Sequence, residues 1–244
     1  MNNNATLALV TGTTRGIGAG IAAAAASSGA TVATCNRSST NSAHELVADL
    51  SDPSSWAALG IWFDDLVGLL KPERVVFIHN AATLTPIGFV GEVDGAAYQT
   101  NVLLNSAAPQ VLGEAVARTA LRTSTPTVIA QLSSGAGKSA YPGWSSYCAS
   151  KAAVDMWVQS VGIEQATRGD LVRALSISPG VVDTGMQQEI RSTEPSGFPN
   201  VERFRDMHAD GALADPVEVG ARIWTIASEE TWPNGTVRDL RSAE

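Results

Sequence analysis

The chain has two cysteines, Cys35 and Cys148, with no metal-ligand spacing between them. A structural disulfide or a zinc site is therefore not expected. Cys148, next to Tyr147, reads as a small buried apolar residue. No run of lysine and arginine occurs, and the formal net charge is −8 at pH 7, with a pI of about 4.9. That balance argues against nucleic acid or an anionic membrane as a partner. No apolar run reaches membrane-spanning length. The segment Met1-Asn2-Asn3-Asn4 carries no basic residue, and Leu7 to Val10 run straight into a glycine motif. No signal peptide is expected, which points to the cytoplasm.

What is present is a globular composition. The chain has 244 residues, 44% hydrophobic and 16% charged, enough to bury the core of one large α/β domain spanning 1–244. Thr6 to Val10 reads as a short buried strand. Thr11 to Gly18 then carries glycines at 12, 16 and 18, and an alanine-rich helix follows from Ala19 to Ser28, closed by Gly29. Strand, glycine turn and helix together suit a dinucleotide: glycine lets the backbone approach phosphates, and the helix start offers free N–H groups. The spacing is GxxxGxG rather than GxGxxG.

Thr31 to Cys35 predicts the second strand. Its end reads on cofactor choice, because a carboxylate there would bond an adenosine ribose 2′-OH and an arginine would hold a 2′-phosphate. Asn36-Arg37 occupies the place, and Arg15 lies in the glycine turn. Two guanidiniums favour NADP. Further strands are expected at Glu45–Leu50, Arg74–Ile78, Thr127–Leu132, Leu171–Ile177 and Thr236–Leu240. Helices are expected at Ser54–Leu70, around Tyr98 to Val111, at Ser145–Glu164 and from Pro216 to about Ser228, the last capped by Asp215. The stretch 185–213 is polar, holds Pro195, Gly197 and Pro199, and is expected to be an irregular lid or substrate loop. Repeated β-then-α order predicts a doubly wound parallel sheet of about seven strands with helices on both faces.

The segment Ser134 to Lys151 carries the chemistry. Tyr147 and Lys151 are four apart on a helical pattern and so share a face. A neighbouring ammonium is expected to favour phenolate and lower the tyrosine pKa, as a tyrosine acid or base requires. Ser134 follows a strand, and its hydroxyl can converge with the phenol on one carbonyl oxygen. Asn101 is awkward in mid-helix, where its amide competes with the backbone; it reads either as a surface asparagine or as a water-holding site. Tyr141, Trp144, Met186 and Gln187 suggest an aromatic and apolar pocket for flat, aryl-bearing ketones or vicinal dicarbonyls.

Taken together these residues resemble the short-chain dehydrogenase/reductase family over essentially the whole chain. The resemblance rests on Thr11–Gly18, His79-Asn80-Ala81-Ala82, Asn101, Ser134, Tyr147 with Lys151, and Pro179-Gly180 with Thr184. Within the family, the stretches 133–138, 143–156 and 179–191 are most similar to sepiapterin reductases and bacterial benzil reductases. The resemblance implies that Tyr147 donates a proton to the carbonyl oxygen, Lys151 holds the nicotinamide ribose, Ser134 polarises the carbonyl, and Asn101 holds a water linking the lysine to solvent. It implies that Gly12, Thr14, Arg15, Gly16, Ile17 and Gly18 cradle the adenosine side and that Arg37 pairs with the 2′-phosphate. Asp49 and Leu50 would flank the adenine. Asn80, with Ala81 beside it, would brace the sheet, and Pro179, Gly180, Val182 and Thr184 would hold the carboxamide.

Two departures from the family pattern bear on these roles. The usual Asn-Asn-Ala-Gly is His79-Asn80-Ala81-Ala82 here; His79 is expected to be structural, and Ala82 to tighten the nicotinamide end. Asp239 matches the aspartate with which sepiapterin reductases anchor pterin, although the tail around it departs from the family. The expected activity is NADPH-dependent carbonyl reduction of a small molecule, an aryl 1,2-dicarbonyl such as benzil or a sepiapterin-like substrate. The alternatives are a 3-oxoacyl-thioester reductase, against which the acidic charge argues, and a non-catalytic NADP sensor, against which the retained Tyr147 and Lys151 argue. A homo-oligomer, dimer or tetramer, is expected through the helices of Asn101 and Tyr147.

Overall fold

The computed structural model describes residues 6–229 and 231–242. Seven strands form one parallel sheet in the order β3-β2-β1-β4-β5-β6-β7. They are β1 (Thr6–Thr11), β2 (Thr31–Asn36), β3 (Glu45–Val47), β4 (Arg74–His79), β5 (Thr127–Leu132), β6 (Val172–Ser178) and β7 (Thr236–Asp239). The helices are α1 (Gly16–Ser27), α2 (Ser54–Leu70), α3 (Gly95–Val102), α4 (Ala108–Thr123), α5 (Ser145–Ala166), α6 (Gly185–Ser192), α7 (Val201–Ala209) and α8 (Pro216–Ser228).

The central strands are apolar on both faces because both faces are covered. Ala8, Val10, Val76 and Ile78 point into a core closed by Ile21 of α1 and Ile223 and Trp224 of α8. Their neighbours Leu7, Leu9, Val75 and Phe77 point the other way, onto Leu59 and Phe63 of α2 and Leu112 and Val116 of α4. Each fully buried Leu or Phe contributes about 1.5–3 kcal/mol. The sheet grows outward in both directions from the β1–β4 pair. This reversal of strand order leaves a crevice at the carboxyl ends of β1 and β4, where ligands bind in such sheets.

Three local features place the site. Between α3 and α4 the helix widens into a π-turn over Leu103–Ala107. That widening resolves the awkward asparagine. Asn101 is fully buried in the last turn of α3, and its amide reaches out to a neighbouring loop instead of competing within its own helix. A 3-10 turn, Gly135–Gly137, follows β5 and is capped by the Ser134 hydroxyl, which accepts from the Ala136 N–H at 3.2 Å. Asp215 caps α8 by accepting from the N–H groups of Val217 (2.8 Å) and Glu218 (3.0 Å), and Pro216 occupies the first turn.

The expectation of an irregular loop over 185–213 is corrected. α6 and α7 occupy most of it, leaving 193–200 between them and 210–213 after them non-helical. Each helix buries two residues on one side, Gln187 and Ile190 in α6, Val201 and Phe204 in α7. The third strand is also shorter than expected, ending at Val47 rather than Leu50.

Candidate active site

A cleft of about 860 Å³ opens at the strand ends where the sheet order reverses. Its floor is the turn between β1 and α1. Gly12 takes φ +71°, and its N–H donates to the Cys35 carbonyl at 2.9 Å. A Cβ on Gly18 would lie 2.1 Å from the Gly12 oxygen and 2.5 Å from Asn80 Nδ2. The backbone there is thus packed as tightly as a side-chain-free residue allows. Asn80 locks this floor to β4. Its Nδ2 donates to the carbonyls of Thr11 (3.0 Å) and Gly12 (2.8 Å), and its backbone N–H donates to Thr11 Oγ1 at 3.1 Å.

The end of β2 is fixed as firmly. Asn36 is buried, accepts from the Thr13 N–H at 2.7 Å, and donates from Nδ2 to Thr13 Oγ1 at 3.0 Å. No carboxylate stands at that strand end, and Arg15 and Arg37, both exposed, line the cleft on either side of it. Thr14, Gly16, Ile17, Asp49, Leu50, Asn80 and Ala81 line the same cleft, and Pro179, Thr184 and Met186 line its far end. The volume lies in the range of small-molecule sites, about 300–1,000 Å³. A glycine floor, the N-terminus of α1 and two guanidiniums fit a dinucleotide with its phosphates over the turn.

Of the expected carboxamide residues, Gly180 and Val182 do not reach the cleft. Val182 is buried in the core with α8 and bridges Ala214 in a short parallel ladder. Gly180 sits under the Arg241 side chain, its ideal Cβ 3.1 Å from Arg241 Cγ.

At the inner end of the cleft, α5 presents Tyr147 and Lys151 one turn apart. Both are buried, at 7% and 4% exposure. The lysine Nζ donates to the Leu132 carbonyl of β5 at 2.8 Å and lies 5.6 Å from the Tyr147 ring centroid. The Ser134 hydroxyl is near enough to the phenol to act on its pKa, in the lowering sense. Met186 Sδ stands 4.0 Å from the phenol oxygen.

The expectation that Lys151 lowers the Tyr147 pKa is corrected. Burial pushes the phenol up to about 12, and Ser134 offsets this only in part. The ammonium lies over the ring face with a donor spent on a carbonyl, and the desolvation of phenolate dominates. Burial also brings Lys151 down to about 8, with Asp155 acting in the opposite sense. At neutral pH the site therefore holds a protonated phenol beside an ammonium. A protonated phenol is the form that can give a proton to an oxygen.

Asn101 does not line the cleft. Its Nδ2 donates to the carbonyls of Thr83 (3.3 Å), Leu84 (3.3 Å) and Thr85 (2.9 Å), and its Oδ1 accepts from Asn105 Nδ2 at 2.9 Å. Its side chain thus ties the π-turn to the loop after β4. His79 is buried and stacks edge-on to Phe77. Burial, aided by the Lys151 charge, holds it down at about 3, so it is a neutral imidazole.

Of the residues expected on the substrate side, Met186 lines the cleft beside Tyr147, while Tyr141 and Trp144 sit behind it in an aromatic cluster that Tyr147 joins. Trp144 stacks on Phe198 at 4.4 Å between centroids and lies 5.1 Å from Tyr141, 5.9 Å from Tyr147 and 5.5 Å from Phe204. Leu84 and Ile190 pack into the same cluster, with Met186 against it. Gln187 is buried beneath Met186, its amide without a hydrogen-bond partner, and does not line the cleft. Asp239 does not line it either. Arg241 engages both its oxygens, Nε to Oδ1 at 3.0 Å and an Nη to Oδ2 at 2.6 Å, and the Arg241 N–H adds a third bond at 2.9 Å.

Several site residues escaped the sequence reading. Phe198 and Phe204 were hidden in a stretch taken as a loop. Arg241 had no motif to mark it. Asp155, four residues past Lys151 and eight past Tyr147, repeats the spacing of that pair and was open to the same argument.

This geometry agrees with comparison to known proteins. The short chain dehydrogenase family profile matches residues 6–195, and the chain belongs to that family. It is an oxidoreductase of a class that uses nicotinamide cofactors on small molecules. Among curated relatives, it is 32% identical over 239 residues to a benzil reductase ((S)-benzoin forming) of Bacillus subtilis, covering 96% of this chain and 98% of that protein. A mouse sepiapterin reductase is 32% identical over 181 residues, 70% of this chain and 66% of that protein. Among solved structures, the KRED1-Pglu enzyme superposes with a TM-score of 0.81 at 26% identity, covering 96% of this chain and all of that one. No helix among the described residues is long and apolar enough to cross a membrane.

Proposed function

We propose that the protein is an NADPH-dependent carbonyl reductase acting on aryl 1,2-dicarbonyls of the benzil type. The observation that carries the proposal is the single cleft that runs from Arg15 and Arg37 to Tyr147 and Lys151. Its outer end suits a 2′-phosphorylated adenosine, because two cations flank it and no carboxylate ends β2. When bound, the nicotinamide supplies the hydride.

The chain's own residues do the rest. The glycine floor and α1 hold the pyrophosphate. Pro179 and Thr184 border the nicotinamide end. Ser134 and Tyr147 converge on the substrate oxygen, and Tyr147, a protonated phenol at neutral pH, donates to it as negative charge develops. Lys151 steadies the resulting phenolate and bonds the ribose. Asn101, through its hold on the loop after β4, keeps the π-turn in place beside the lysine. The Trp144, Phe198 and Phe204 cluster, with Met186 at its edge, supports an apolar and aromatic substrate wall. Exposed Val111, Met156 and Ile163 on α4 and α5 support self-association through those helices.

Relatives of near-full length are benzil reductases, which supports the substrate class. A pterin substrate is the second reading. The chelation of Asp239 by Arg241 weighs against it, since a carboxylate engaged on both oxygens has little left to offer a pterin ring. The test is oxidation of NADPH and of NADH followed side by side with benzil and with sepiapterin. NADPH-selective turnover of benzil is expected. Turnover of sepiapterin alone, or an NADH preference, overturns the proposal.

A further inference from the structure

Asp155 is an acidic residue deep in α5 that the proposed mechanism leaves without a role. It is buried, with 6% of its surface exposed. One oxygen accepts from the Ser176 hydroxyl of β6 at 2.5 Å. The other has no hydrogen-bond partner and packs against the 3-10 turn, where a Cβ on Gly137 would lie 3.0 Å from it. Asp155 also lines a second cavity, of about 440 Å³, together with Lys138, Gln159 and Val237. An ionised carboxylate does not persist in such a place without a counter-charge.

The buried cation nearest in sequence is on its own helix, with no direct ion pair between the two side chains. Tyr147, Lys151 and Asp155 are spaced i, i+4 and i+8 along α5 and so fall in one line on its buried face. Lys151 is the mirror problem, a buried ammonium whose one protein hydrogen bond is to the Leu132 carbonyl. From β4 the facing titratable group is His79, which is neutral and brings no negative charge. From the turn after β5 it is Lys138, a cation beside the Asp155 cavity. From α5 itself it is Tyr147. β6 contributes the Ser176 hydroxyl, β7 reaches the cavity through Gly235 and Val237, and α4 meets α5 where Gly113 faces Trp157. Among these groups Asp155 is the anion.

We propose that Asp155 is a positioning residue that fixes the charge of Lys151. Its carboxylate, held by Ser176 one turn beyond the lysine, keeps the buried ammonium protonated beneath Tyr147 at working pH. This rests on the reading of Lys151 as part of the active site but not on the identity of the substrate. The direction agrees with the titration of Lys151, which burial lowers and Asp155 raises.

The test reads the lysine directly. The 13Cε resonance of Lys151, assigned by its loss in Lys151→Arg, is titrated in the unmutated protein, Asp155→Asn, Asp155→Leu and Asp155→Glu. The Lys151 midpoint is expected to fall by about one pH unit or more in the Asn and Leu variants, a tenfold loss of ammonium at a fixed pH above it, and to stay near the parent value in the Glu variant. The high-pH limb of kcat/KM is expected to move down by the same amount. A midpoint unchanged in a folded Asn or Leu variant overturns the proposal. If neither variant folds, Asp155→Ser, which keeps a small polar group against Ser176, decides in their place, and an unchanged Lys151 midpoint in it overturns the proposal. Failure of benzil turnover alongside a lowered midpoint sinks the substrate assignment and leaves the role of Asp155 standing.

Discussion

Replacing Arg37 by alanine should weaken NADPH and leave NADH alone. Arg37 lines the outer cleft beside Asn36, whose amide is tied to Thr13 and carries no charge. A hydrogen bond to a charged group is worth about 1.5–3 kcal/mol. Arg37 is exposed, so water screens it and the low end applies. That is about a tenfold rise in Kd for NADPH. Arg15 lines the same mouth, and its guanidinium packs on Gly185, with Nη1 3.3 Å from the ideal Cβ position. Arg15→Ala should cost a similar factor. The double variant should bring NADPH within a few-fold of NADH. Titration of protein fluorescence with each cofactor, for the parent and the three variants, gives a thermodynamic cycle between arginine and 2′-phosphate. The reasoning is refuted if NADPH and NADH weaken together, since the arginines would then be holding the fold or the pyrophosphate. It is equally refuted if the parent shows no preference between the two.

Other perturbations probe other parts of the site. Tyr147→Phe should lower kcat for carbonyl reduction at least 100-fold, the scale of a lost general acid, while cofactor affinity changes less than about twofold. Parallel turnover and binding measurements check this. Gly18→Ala should fail to bind dinucleotide, because the methyl group would overlap the Gly12 carbonyl and the Asn80 amide; cofactor titration and thermal unfolding report the two losses. His79 has its folded pKa held near 3 against an ordinary 6.5, so the unfolded chain takes up the proton first as pH falls. Stability should drop by about 1.4 kcal/mol for each unit between pH 6.5 and 3. In denaturant titrations His79→Gln should flatten that slope.

Most of the framework was legible in the sequence because its signals were local. β5 and the bounds of α2 and α8 match the apolar periodicity and the Asp215-Pro216 cap. The glycine floor, Asn80, Tyr147 and Lys151 are motif residues, and all of them line one cleft. What was missed depends on contacts distant in sequence. α6 and α7 have only two buried residues each and are split by Pro195, Gly197 and Pro199, so local punctuation outweighed a short amphipathic pattern that tertiary packing rescues. The Tyr147 pKa was expected to follow the nearest charge, and burial among Trp144 and Met186 outweighs it. Asp239 matches a pterin-anchoring aspartate in sequence, and no spacing rule shows that Arg241 folds back across it.

Asn80 has a reach beyond the two hydrogen bonds of its side chain and the one of its backbone N–H. It joins the carboxyl ends of β1 and β4 and the glycine turn into one unit on the cofactor side. The aromatic cluster under α6 and α7 shares none of those bonds. α6 borders the cofactor cleft through Gly185, Met186 and Gln188, but no residue of α7 lines it, so a change in α7 leaves the Asn80 platform as it was. Substrate range can drift on one half of the molecule while the redox chemistry is conserved on the other, and a library confined to 201–209 would sample new ketones on an unchanged engine.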